Sequence, residues 1–137
     1  MKRTANAVWH GTGKEGKGSL STQSGTLKNT AYNYVMRFED APGTNPEELI
    51  AAAHAGCFNM KLSFVLVAGG YTADTLNTTA TVTLENGAIT NVHLQLKGKV
   101  PKLDQAKFVE FANDAKANCP VSKVLNATIT LDATLEN

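Results

Sequence analysis

The chemistry-bearing residues of this chain are its two cysteines, Cys57 and Cys119. Cys57 follows the run Asn45-Pro46-Glu47-Glu48-Leu49-Ile50 and sits in Ala53-His54-Ala55-Gly56-Cys57-Phe58, well inside a mostly apolar helical stretch. Cys119 precedes Pro120-Val121-Ser122, where a proline starts a new helical turn. Their sequence separation excludes a CxxC redox or zinc motif. A redox pair assembled by the fold stays open, with one thiol attacking and the other resolving. So do redox sensing and inert burial, since cysteine is commonly buried.

Cys57 lies about twelve residues into the helix, beyond the first turn where the dipole lowers a thiol pKa. A thiol with a pKa of about 8.5 is mostly protonated at neutral pH. A reactive Cys57 therefore needs a cation from elsewhere. Arg37 is the best candidate, being the last basic residue before the helix. A fixed guanidinium favours the thiolate and can donate to a peroxide oxygen as charge develops. A carboxylate paired with Arg37 would hold it, and Glu47 or Glu48 can serve. Taken singly, Arg37 also reads as a surface strand residue and Glu47 as a helix-dipole partner.

Other motifs carry less. Gly11-Thr12-Gly13-Lys14-Glu15-Gly16 matches GxGxxG, but a dinucleotide site needs that loop to open a helix, and Gly18-Ser19-Leu20-Ser21 reads as strand. A glycine-rich hairpin accounts for it. Asn77-Thr78-Thr79 and Asn126-Ala127-Thr128 match a glycosylation pattern that has meaning only on a secretory route. His54, His93, Cys57 and Cys119 lack the close paired spacing of a metal site. His54 shares a helix face with Cys57 three residues on, so a Cys-His pair competes with a buried, hydrogen-bonded histidine; the second reading is preferred. His10 reads as a strand residue.

The elements that must position these residues are legible. The chain has 137 residues, 42% hydrophobic and 18% charged, which fits a single soluble domain over residues 1–137. A net charge of +1 supplies no field to gather nucleic acid or an anionic membrane. Lys2 and Arg3 are not followed by an apolar segment, so no secretory signal is read and a cytoplasmic location is expected. Short strands fill the first third, and Tyr34, Met36 and Phe38 alternate with Asn33, Val35, Arg37 and Glu39 as in another strand. Asn45, Pro46 and Glu48 then open a helix that runs to about Ala68, where Gly69-Gly70 stops it. It is apolar on nearly every face, which predicts burial, including between two subunits; His54, Asn59, Lys61 and Ser63 argue against a membrane span. Asn86-Gly87 signals a hairpin joining strands around Leu76–Leu84 and Val92–Leu96. Residues 104–117 have helical spacing, and Ile129, Leu131, Ala133 and Leu135 face inward along a last strand. Strands in blocks predict α+β.

Arg37-Phe38-Glu39, Gly43-Thr44-Asn45-Pro46-Glu47-Glu48-Leu49-Ile50, Ala52-Ala53-His54-Ala55-Gly56-Cys57-Phe58 and Cys119-Pro120-Val121-Ser122-Lys123-Val124-Leu125 together resemble the osmotically inducible protein C family. These peroxidases are close to the organic hydroperoxide resistance proteins. The likeness extends to Trp9, Gly16-Lys17-Gly18, Ser21-Thr22 and Ile129-Thr130-Leu131-Asp132, and so covers essentially the whole chain. It implies an α+β fold with antiparallel sheets around a long buried central helix, in an intertwined homodimer with sites at the subunit interface. It implies Cys57 as peroxidatic cysteine and Cys119 as resolving cysteine, with Arg37 and Glu47 activating Cys57. Organic hydroperoxides are the implied substrates. No metal or bound cofactor is implied, and an external dithiol, lipoyl-bearing in related proteins, is the implied reductant. A non-enzymatic thiol sensor or binding protein on the same fold is the alternative, and a structural domain with an inert Cys57 is a third.

Glu47 and Cys57 are ten residues apart, roughly 15 Å along one straight helix at about 1.5 Å per residue. Two antiparallel copies of the helix, each lending Arg37 and Glu47 to the other's Cys57, are therefore expected.

Overall fold

A computed structural model describes the chain from Met1 to Asn137. It resolves into two compact units, residues Met1–Leu49 and Ile50–Asn137.

In the first unit, β1 (Ala5–His10), β2 (Lys17–Thr22) and β3 (Thr30–Tyr32) form an antiparallel sheet in that order. The glycine-rich segment 11–16 is the loop of the β1–β2 hairpin, as expected. Gly18 is required there: a Cβ would stand 2.5 Å from both Trp9 and Tyr32, whose rings pack at 5.3 Å. After β3 the chain departs from the sequence reading. Residues Tyr34–Phe38 form a short helix, α1, not a strand. Asn33 is the cause. Its side-chain oxygen accepts from the Met36 N–H at 2.9 Å, so the backbone enters a helical turn although the apolar residues alternate. Period-two spacing over five residues is too brief to overrule such a cap.

Helix α2 (Pro46–Ala68) begins where expected. Asn45 accepts from the Glu48 N–H at 2.8 Å. At the other end the Tyr71 N–H returns to the Leu66 carbonyl across Gly69 and Gly70, with Gly70 at φ 89°.

The second unit holds the core. Strands β4 (Thr75–Glu85) and β5 (Ala88–Lys99) pair antiparallel through the Asn86-Gly87 turn, both residues having positive φ. Helix α3 (Gln105–Asn118), capped by Asp104, and the short α4 (Pro120–Val124) follow. Strand β6 (Thr128–Leu135) then lies parallel to β5, which this helical crossover permits. The second sheet is thus mixed, where antiparallel pairing throughout was expected; the α+β class stands. Ile129, Leu131, Ala133 and Leu135 alternate with exposed residues as read. Phe58, Leu62 and Leu66 of α2 pack with Val92, Leu94 and Leu96 of β5 and Phe108, Ala112 and Ala115 of α3.

Helix α2 is long and apolar enough to cross a membrane by length and composition. Its buried face, His54, Phe58, Leu62 and Leu66, identifies it as a core helix. It is buried on that stripe only: Met60, Phe64 and Val67 are each more than 60% exposed.

Candidate active site

The four candidate residues form two pairs, one in each unit. Arg37 occupies the last turn of α1, not a strand end. Asn45 caps α2 and also donates from Nδ2 to the Met36 carbonyl at 3.2 Å, which ties the end of α1 to the start of α2. That tie sets Arg37 against Glu47. Its Nη2 lies 2.6 Å from Glu47 Oε1, and its Nε donates to both carboxylate oxygens at 3.1 and 3.2 Å. Of the two glutamates considered, Glu47 is the partner. These hydrogen bonds raise the Arg37 pKa against the opposing effect of burial. Burial alone would push the Glu47 carboxyl up; hydrogen bonds from Arg37 and from the Glu47 backbone N–H, with the guanidinium charge, hold it below the usual range. Arg37 also lines an open cavity of about 530 Å3 whose walls include Trp9, Tyr32, Tyr34 and Phe38.

The thiols meet in the second unit. Cys119 donates to Cys57 across a sulfur–sulfur distance of 2.7 Å, although 62 residues separate them in sequence. Both are free cysteines. Helix α2 supplies Cys57, and the break between α3 and α4 supplies Cys119. Extended backbone at Cys119 (φ −65°, ψ 128°) turns the chain there, and Pro120 opens α4. Cys119 is fully buried. Cys57 is half-buried and lines a cavity of about 310 Å3 with Met60, Lys61, Phe64, Asn118 and Pro120.

Burial pushes the Cys57 thiol up. Its contact with Cys119 adds to this, since a proton held between two sulfurs and the repulsion of a second thiolate both oppose ionisation. The Val121 N–H, donating to Cys57, works the other way without cancelling them. No cation figures among the groups that act on this thiol.

His54 is not paired with Cys57. It is fully buried, and its Nε2 lies 2.7 Å from Ser122 Oγ. The hydrogen-bonded reading of His54 is the observed one. Burial lowers its pKa. His93 lies elsewhere, with Nδ1 2.8 Å from Thr130 Oγ1 and Nε2 3.2 Å from Asp132. Phe58 belongs to the core, so the apolar lining beside Cys57 comes from Met60 and Phe64. Sequence reasoning missed Ser122, Val121 and Lys61. For the first two the available signal was position, two and three residues past Cys119 in a proline-started turn.

The OsmC-like protein family model matches residues 38–134. The chain is 46% identical to peroxiredoxin OsmC of Escherichia coli over 141 aligned positions, covering 100% of this chain and 99% of that protein. An OsmC-like protein of unknown function from Vibrio cholerae has the same fold, with a TM-score of 0.76 at 13% identity over 98% of this chain and 99% of the other. The organic hydroperoxide resistance protein OhrB of Bacillus subtilis superposes with a TM-score of 0.66 at 26% identity, over 96% and 98% of the two chains. With that family model over residues 38–134 and a 46% identical relative over the whole chain, the chain belongs to the OsmC-like protein family.

Proposed function

We propose that the protein is a cysteine-based peroxidase that reduces organic hydroperoxides to alcohols. The observation that carries this reading is the contact of two free thiols, one facing a cavity and the other buried behind it. The names of the Escherichia coli and Bacillus subtilis relatives support it.

Cys57 is the peroxidatic residue, because it lines the cavity. Its thiolate attacks the distal peroxide oxygen, the O–O bond breaks, and the alkoxide takes a proton to leave as alcohol. The resulting Cys57 sulfenic acid condenses with the Cys119 thiol, losing water and forming a disulfide. An external dithiol then exchanges with that disulfide and restores both thiols. The cycle runs on thiols alone. Met60 and Phe64 favour an alkyl peroxide over a small polar one in the cavity.

The raised Cys57 pKa makes a cation necessary for attack at neutral pH. Arg37, oriented by Glu47, is that cation, and a second copy of the chain provides it. The exposed Met60, Phe64 and Val67 of α2 give the second copy an apolar surface to cover in an intertwined homodimer. Residues 1–137 act together as one OsmC-like domain.

Turnover with cumene or tert-butyl hydroperoxide tests the reading, comparing a dihydrolipoyl donor with thioredoxin and glutathione. Sustained consumption of hydroperoxide with at least one dithiol is the expected result. A single oxidation that none of the three reductants reverses would favour a one-shot thiol sensor.

A further inference from the structure

His54 is the buried polar side chain that this peroxidase cycle leaves without a task. It lies one turn before Cys57 on α2. Nε2 bonds Ser122, but Nδ1 is buried with no partner. An apolar side chain would fill the same place without leaving a ring nitrogen unpaired, so packing alone does not account for a histidine.

Ser122 belongs to α4, which starts directly after Cys119. This helix has five residues and buries none of them. A helix that short does not hold itself, so contacts with its surroundings must fix it. A hydrogen bond reaches it from α2: Ser122 Oγ lies 2.7 Å from His54 Nε2. The segment that delivers Cys119 is thus tied to the helix that carries Cys57, one turn before that thiol.

We infer that His54 and Ser122 are a positioning pair for the resolving step: their hydrogen bond pins α4 to α2 and so keeps the Cys119 sulfur against Cys57. This rests on the reading of Cys57 and Cys119 as peroxidatic and resolving thiols. In that step the sulfenic S–O bond breaks, a sulfur–sulfur bond forms, and the departing hydroxide takes the Cys119 proton as water. Its competitor is a second hydroperoxide, which oxidises the sulfenic acid to sulfinic acid and leaves as alcohol. The pair therefore sets how often Cys57 is resolved before it is over-oxidised. It does not set the rate of the first attack.

The test compares wild type, Ser122→Ala, Ser122→Thr and His54→Leu in single turnovers with cumene hydroperoxide. Sulfenic acid should form at the wild-type rate in all four. Disulfide should form about tenfold more slowly in Ser122→Ala and His54→Leu, the size of one lost hydrogen bond, with sulfinic acid rising in step. Ser122→Thr keeps the hydroxyl and should return to within about threefold of wild type. His54→Leu removes the unpaired nitrogen, so its thermal midpoint should hold while its disulfide closes slowly; a merely structural histidine would give the reverse. A second arm uses diamide, which takes both thiol hydrogens to become a hydrazine and closes the disulfide without peroxide. If Ser122→Ala and His54→Leu close as fast as wild type with diamide, the positioning pair is wrong, whatever the natural oxidant. If diamide separates the variants while hydroperoxide leaves wild-type thiols reduced, the pair stands and the peroxidase reading falls.

Discussion

Arg37 grips Glu47 through two nitrogens, with Nη2 at 2.6 Å and Nε shared between both carboxylate oxygens. A guanidinium held this way has a fixed plane, while 38% of its side chain stays exposed. It is a cation with direction, which is what a developing negative charge on a thiol or peroxide oxygen requires.

Lysine keeps the charge at this position but loses the planar fork. Arg37→Lys should raise the Cys57 pKa and slow its oxidation by hydroperoxide, and Arg37→Ala should do both more strongly, on the order of 10- to 100-fold in rate. Stopped-flow oxidation of Cys57 measures this. An unchanged rate in Arg37→Ala removes Arg37 from the mechanism.

A site shared between two copies of the chain, as proposed, predicts complementation. Cys57→Ser chains should be inactive, and Arg37→Ala chains slowed on the order of 10- to 100-fold. After subunit exchange, the mixed dimer contains one site with Arg37 from the first chain and Cys57 from the second, so activity should return. Background activity in proven heterodimers would mean that each subunit builds its own site.

The ion pair also has an acid signature. The folded Glu47 pKa lies below its ordinary value, so the unfolded chain takes up the proton first as pH falls. Its stabilisation is fully present above the ordinary carboxyl pKa and is lost as pH drops through the lowered folded value. Thermal midpoints of wild type and Glu47→Gln should therefore differ at pH 7 and converge as the pH falls through the lowered folded value. A gap that persists undiminished at low pH would show that Glu47 acts through packing and not through its charge.

Much of this was legible before the structure, and the failures have physical causes. Caps and turns carry local, strong signals, so Asn45-Pro46, Gly69-Gly70 and Asn86-Gly87 were read correctly. At Tyr34–Phe38 alternating apolar residues read as a strand, and the capping side chain of Asn33 decided otherwise. The direction of β6 depends on how the chain returns through α3 and α4, which spacing does not encode. The Arg37–Glu47 pair spans ten residues and could be guessed from charge. The His54–Ser122 bond spans 68 and joins two residues with no distinguishing pattern, so only packing reveals it. The resemblance to a known family supplied roles for the cysteines that their spacing alone left open.

The central claim is that Cys57 and Cys119 form one redox unit. The most direct measurement adds one equivalent of cumene hydroperoxide to the reduced protein and maps the products by mass spectrometry. The account predicts one equivalent of alcohol and an intramolecular Cys57–Cys119 disulfide, a sulfenic acid confined to Cys57 in Cys119→Ser, and no peroxide consumption by Cys57→Ser. Robust consumption by Cys57→Ser, or oxidation of the wild type that leaves Cys119 a free thiol, would contradict it.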